Sequence, residues 1–189
     1  MWNLKQTVNE PYAWIPLFNP EECAKIIDIG LNGTVISSLI SNRVLNQTIR
    51  SGNVVWLDAS NTDCNWIFQK CTDAVLHMNE RFFKYDLSYI EDMQFTIYDE
   101  IGDHYAKHVD YGYNDTSATR KLSFSIQLSD PSLYDGGDLV LHLNDNPIQV
   151  KRDQGMMNLF PSYTMHEVTP ITAGKRYSLV GWVHGPKFK

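Results

Sequence analysis

From Asp92 onward the chain takes up a period of two, and that alternation excludes most folds open to 189 residues. Met93, Phe95 and Ile97 alternate with Gln94, Thr96 and Tyr98. Leu122, Phe124, Ile126 and Leu128 alternate with Ser123, Ser125 and Gln127, and Leu139, Leu141 and Leu143 continue the series. Successive side chains on a strand point to opposite faces, so each segment offers one apolar and one polar side. Short strands divided by the Asp135-Gly136-Gly137 and Asn144-Asp145-Asn146-Pro147 turns predict an antiparallel sandwich or jelly roll, with Gln94, Thr96 and Tyr98 lining its mouth. Upstream the spacing is helical. Asn19-Pro20-Glu21-Glu22 reads as a helix start, with Gly30 and Gly33 as its stop and Ala24, Ile27 and Leu31 as its buried stripe. A second helix is predicted after Ser60-Asn61-Thr62-Asp63, burying Ile67, Cys71, Ala74, Met78 and Phe82 and turning His77 to solvent. The expected organisation is helices first, then strands. Residues 1–91 form a helical support and residues 92–189 a β core, in one α+β, mainly β, domain.

Within the β half, His108-Val109-Asp110 places an imidazole and a carboxylate two positions apart. If residues 103–111 form a strand, both point the same way, with Cα atoms roughly 6–7 Å apart. One His-x-Asp pair is common by chance, so context has to carry it. His166 lies between Pro161 and Pro170, which are expected to prevent a regular strand and to hold that histidine in a defined bend. In residues 175–183 the alternation puts Arg176, Ser178, Val180 and Trp182 on one face, and Tyr177, Leu179 and Val183 on the other. An arginine sharing a face with Val and Trp is costly unless an anion meets it, and its planar fork suits a carboxylate. Lys175 points the opposite way. Two imidazoles and one carboxylate on one side of a metal leave the other side open for co-substrate and oxygen, the arrangement that suits non-heme Fe(II).

These residues fall in ordered blocks. Tyr98 and Gly102-x-x-Tyr105-x-x-His108-x-Asp110 come first, followed by Leu128-Ser129-Asp130 through Asp135-Gly136-Gly137-Asp138-Leu139. Phe160-Pro161-Ser162 through His166-Glu167-Val168-Thr169-Pro170, then Gly174-x-Arg176-Tyr177 and Trp182, complete the set. Over residues 94–186 the chain resembles the Fe(II)- and 2-oxoglutarate-dependent dioxygenases, in particular the prolyl 4-hydroxylase-like branch with the PKHD-type hydroxylases. The resemblance implies a double-stranded β-helix with His108, Asp110 and His166 as metal ligands. It further implies Arg176 and Tyr98 on the distal carboxylate of 2-oxoglutarate, Trp182 lining the pocket, and an extra residue absorbed in the turn at 99–103. It implies Fe(II), 2-oxoglutarate and O2, with ascorbate as helper reductant, and hydroxylation of a C–H bond with release of succinate and CO2. A peptidyl proline is the expected target. The same chemistry on a lysyl residue, free amino acid, small metabolite or nucleobase is the alternative. A jelly-roll module that merely binds metal or carbohydrate is the rival of another class, and Arg176 argues against it, because a structural metal needs no carboxylate clamp.

A peptide or protein partner is expected, with residues 111–120, rich in Gly, Ser and Thr, folding over it. Net charge is −6 and no basic run occurs, which argues against a nucleic-acid partner. No apolar run suits a signal peptide or a membrane span, so a soluble, cytoplasmic chain is expected. Cys23, Cys64 and Cys71 show neither disulfide nor zinc spacing and are read as small core residues.

Overall fold

The alternating segments pair into an antiparallel sandwich in the computed structural model, which describes residues 11–37, 49–113, 116–143 and 145–187. In chain order its elements are β1 (Ala13–Pro16), α1 (Pro20–Leu31), β2 (Ile36–Ser37), β3 (Asn53–Leu57), α2 (Asn65–Met78), β4 (Tyr89–Ile90), β5 (Met93–Tyr98) and β6 (Tyr105–His108). There follow β7 (Arg120–Gln127), β8 (Tyr134–Gly136), β9 (Leu139–His142), β10 (Ile148–Gln149), β11 (Met156–Pro161), β12 (Met165–Val168), β13 (Ile171–Gly174) and β14 (Arg176–His184). The major sheet runs β1-β11-β7-β14-β5-β3-β2, with β4 also on β14; the minor sheet runs β10-β9-β12-β6, and β13 pairs β8. This is the mainly β jelly roll read from the alternation.

The two faces of the major sheet have different work. Phe95, Phe124, Ile126, Met157 and Leu179 meet the helices in one apolar core, together with Cys23, Ile26, Ile67 and Cys71. The other face turns Gln94, Thr96, Tyr98, Ser123, Ser125, Arg176 and Ser178 toward the minor sheet. A second, smaller core of Tyr98, Leu139, Leu141, Phe160, Val168 and Ile171 holds the two sheets together at one end. All three cysteines are buried and unpaired.

The helices begin where the sequence says. Asn19 accepts a hydrogen bond from the Glu22 amide at 2.9 Å while the Glu22 carboxylate accepts from the Asn19 amide at 3.0 Å, a reciprocal cap that contributes about 1 kcal/mol. The buried stripe of α1, however, is Cys23, Ile26 and Gly30, with Ala24 and Leu31 exposed. The reason is Gly30: it lies against Phe95, where a Cβ would come within 2.3 Å of the ring, so the helix packs through its glycine instead of stopping at it. In α2 the buried positions are Ile67, Cys71, Ala74, Val75 and Met78, Phe82 is half-buried, and His77 is exposed, as predicted.

The order of helices before strands does not hold. β1 pairs with β11, β3 with β5, β2 with β3 and β4 with β14, so residues 1–91 supply four strands of the major sheet. Several sequence readings lie outside the described residues: the opening segment 1–10, Asn114 and Asp115 in the 111–120 loop, and Asn144 in its turn. The described part of that loop contains a short 3-10 turn at Thr116–Thr119 with Ala118 buried. No helix among the described residues is long and apolar enough to cross a membrane.

Candidate metal centre

His108 ends β6, and His166 sits directly across from it in the register of β12. The prolines flanking His166 do not prevent a strand: Pro161 closes β11, Pro170 follows β12, and four residues of ladder fit between them. Asp110 lies beyond the end of β6 instead of within a longer strand. It is held nonetheless, because the amides of Asp110 and Tyr111 both donate to the Ser162 carbonyl, at 2.9 and 3.0 Å. The side chains of His108, Asp110 and His166 thus converge, each offering one ligand atom within 4.8 Å of the others.

Backbone contacts fix which nitrogens face inward. The Nδ1–H of His108 donates to the Ala106 carbonyl at 2.8 Å, and that of His166 to the Thr164 carbonyl at 2.9 Å, since a carbonyl can only accept. Both Nε2 atoms are left turned toward Asp110, at 3.6 and 3.5 Å from its two oxygens. Burial pushes the His166 pKa down, favouring the neutral ring. Burial pushes the Asp110 carboxyl up, but His166, His108 and the Ser123 hydroxyl outweigh it and hold the group well below the usual carboxylate range. Two imidazole Nε2 atoms and a carboxylate aimed at one point make a ligand set for a cation. That donor set fits an Fe(II)-type ion with one side open.

Farther into the same cavity, Arg176 and Tyr98 are register partners on β14 and β5. The Arg176 Nε donates to Gln127 Oε1 at 3.0 Å and its Nη1 to Ser178 Oγ at 3.3 Å, with the guanidinium 5.4 Å from the centre of the Tyr98 ring. Gly137, at a φ of +62°, lets the Asp-Gly-Gly turn pass close by: a Cβ there would lie 2.9 Å from the Arg176 stem. The cation is therefore pre-set by its surroundings while its neutral partners leave its charge unmatched. Lys175 points away and pairs with Asp99 at 3.6 Å. Trp182 is buried and lines the cavity, with the Arg120 guanidinium 4.1 Å above its ring.

Sequence reasoning gave no role to several residues in and around the cavity. Tyr105 stacks on His108 with ring centroids 3.6 Å apart, and Arg50 stacks on Tyr105 in turn, 4.6 Å from its centre. Arg120 reaches the Asp110 carbonyl at 3.4 Å and pairs with Glu91 at 2.7 Å. Tyr105 carried a signal in its spacing before His108; Arg50 carried none.

Residues 93–184 match the model of the 2OG-Fe(II) oxygenase superfamily. That stretch is just under half of the chain, and through it the sequence is similar to that superfamily. A PKHD-type hydroxylase of Hyphomonas neptunium is 40% identical over 85 residues, which is 43% of this chain and 38% of the relative. A PKHD-type hydroxylase of Prochlorococcus marinus is 41% identical over 83 residues, or 44% and 37% of the two chains. The match thus spans less than two fifths of the length of these relatives. Among solved structures, a prolyl-4-hydroxylase of Pseudomonas putida superposes with a TM-score of 0.72 at 22% identity, covering 93% of each chain. A prolyl hydroxylase from Trichoplax adhaerens, in complex with a hypoxia inducible factor oxygen degradation domain peptide fragment, superposes with a TM-score of 0.75 at 20% identity, covering 93% of this chain and 84% of that one. At these identities the superpositions establish the jelly-roll fold. Similarity to the 2OG-Fe(II) oxygenase superfamily implies Fe(II) and 2-oxoglutarate, and the donor set and the buried guanidinium fit both.

Proposed function

We propose that this chain is an Fe(II)- and 2-oxoglutarate-dependent oxygenase that hydroxylates a peptidyl proline. One observation carries the reading: two imidazole Nε2 atoms and the Asp110 carboxylate converge in the same cavity as a buried Arg176 that has no counter-ion among the described residues. His108, Asp110 and His166 would hold the iron, and Arg176 with Tyr98 the distal carboxylate of 2-oxoglutarate. When bound, that pair with O2 supplies the oxidising power, releasing succinate and CO2, and ascorbate keeps the metal ferrous. The protein's share is positional. The carbonyls of Ala106 and Thr164 fix both imidazole tautomers, and Ser162 fixes the reach of Asp110. Trp182, Leu139, Phe160 and Val180 line the cavity and exclude water from the reacting centre.

The proline assignment draws on the prolyl hydroxylases that share the fold, one of them peptide-bound, and on the PKHD-type relatives. The test is turnover of 2-oxoglutarate with Fe(II), ascorbate and proline-containing peptides, read by succinate and by gain of one oxygen in the peptide. Loss of both signals in His108→Ala is the expected outcome. Succinate without peptide oxidation across the panel would remove the proline assignment, and no succinate at all would remove the catalytic one.

A further inference from the structure

Arg50 is 7% exposed, and among the described residues neither its Nε nor its Nη2 has a hydrogen-bond partner. A buried guanidinium with two unmet nitrogens is costly, so a cation retained in a cavity marks a place where an anion is expected. Arg50 lines the same cavity as the candidate metal ligands and lies just before β3, bridged to Tyr105 of β6. The layers run Arg50, Tyr105, His108, so this second cation stands on the wall of a metal ligand, one ring removed from it. Arg176 approaches from β14 and is already met by Gln127 and Ser178. Both cations are near enough to Tyr98 to oppose the rise that burial imposes on its hydroxyl.

Charge decides what Arg50 awaits. Among the described residues no carboxylate is bonded to Arg50: the one that lines the cavity, Asp110, lies between the two imidazoles, and Asp103 accepts from the amides of Asp99 and Glu100. On the proposed function Arg176 would hold the distal carboxylate of 2-oxoglutarate, which leaves Arg50 for a different anion. We infer that Arg50 receives a carboxylate of the hydroxylated substrate, making the substrate class an anionic one: a target whose acidic side chain, or free terminal carboxylate, lies beside the reacting carbon. This rests on the oxygenase reading above and deepens it.

The experiment uses protein loaded with Zn(II) and 2-oxoglutarate, which binds without turning over, and reads peptide affinity through the fluorescence of Trp182 and its neighbours. One arm compares blocked proline peptides with Glu or Gln next to the proline. The other compares free-acid and amidated peptides ending beside the proline. A charge-assisted hydrogen bond corresponds to roughly a ten- to hundredfold preference for the carboxylate in one arm, and that arm names its source. Arg50→Gln should erase the preference and Arg50→Lys should keep part of it. A wild-type protein with no preference in either arm overturns the assignment. So does Arg50→Gln weakening neutral and acidic peptides alike, or raising the KM for 2-oxoglutarate at least as much as that for peptide. Should Arg50→Gln not fold, the wild-type pairs and Arg50→Lys decide. Absence of succinate with Fe(II) would instead defeat the oxygenase reading, and the Zn(II) binding arms would still report on Arg50.

Discussion

Gly181 lies behind the site, and replacing it with alanine gives a measurable cost. It sits on β14 on the core-facing side, between Val180 and Trp182, which line the cavity, and opposite Phe124 of β7. A Cβ at position 181 would fall 2.2 Å from the Cζ of Phe124 and 2.8 Å from both Cε atoms. To restore ordinary contact the ring must retreat by roughly 1.2–1.8 Å. Phe124 is fully buried, so that retreat displaces its neighbours. Overpacking of this kind costs about 1–3 kcal/mol. Losing a strand glycine returns roughly 0.5–1 kcal/mol through the unfolded chain. The clash wins by about 1–2 kcal/mol, which for a chain of this length lowers Tm by roughly 2–8 °C. Thermal unfolding of Gly181→Ala in the metal-free protein reads this directly. Pairing it with Phe124→Leu should make the double variant more stable than the sum of its parts. A Tm at or above wild type, or strict additivity in that cycle, would refute the claim that this contact sets the spacing of β14 and β7.

Zn(II) or Mn(II) at a hundredfold excess over its Kd should stabilise the metal-free protein by about 2.7 kcal/mol, roughly 5–10 °C in Tm, and His166→Ala should abolish the shift. Because burial depresses the His166 pKa, the unfolded chain takes up a proton that the folded chain refuses, between that lowered value and the ordinary histidine value. Metal-free stability should therefore rise with pH across that window, and a chemical-denaturation series that is flat there contradicts it. Arg176→Lys loses the planar fork and leaves Gln127 Oε1 without its donor, so the KM for 2-oxoglutarate should rise about ten- to a hundredfold. Burial pushes the Cys23 thiol up to about 11 and drives Cys71 higher still, so native protein should resist thiol reagents that label all three cysteines after unfolding.

Much of the site was legible because strand periodicity and chemistry coincide. Once Tyr177 and Leu179 are assigned to the core, Arg176 and Ser178 must face the cavity, and the structure places them there. What escaped did so for identifiable reasons. The stripe of α1 was misplaced because hydrophobic spacing gives no weight to a glycine, yet Gly30 is the residue that touches Phe95. The two-residue spacing of His108 and Asp110 was read as strand alternation, whereas the two groups meet because Ser162 captures the chain after β6 ends. β1 and β3 were missed because Ala13–Pro16 and Asn53–Leu57 show little alternation; β3 is buried at Val54, Val55 and Leu57, and its identity depends on β5 beside it. Arg50 follows no pattern. Its burial is created by Tyr105, far along the chain, and a long-range stack leaves no local trace.

The charges of the cavity explain why these costs persist. Asp110 is drawn between two imidazoles, and the other buried aspartate near the cavity, Asp103, spends an oxygen on the amides of Asp99 and Glu100. Neither carboxylate is hydrogen-bonded to Arg50 or to Arg176, which are met by π faces and neutral acceptors. An internal salt bridge to either arginine would stabilise the empty fold, but it would also have to be broken before a carboxylate ligand could bind. Leaving both cations unmatched places the instability in the ligand-free state, so that each incoming anion relieves it on arrival. Preorganisation of this kind makes affinity and stability move together: ligands that supply the missing negative charge should raise Tm, and isosteric amides should not.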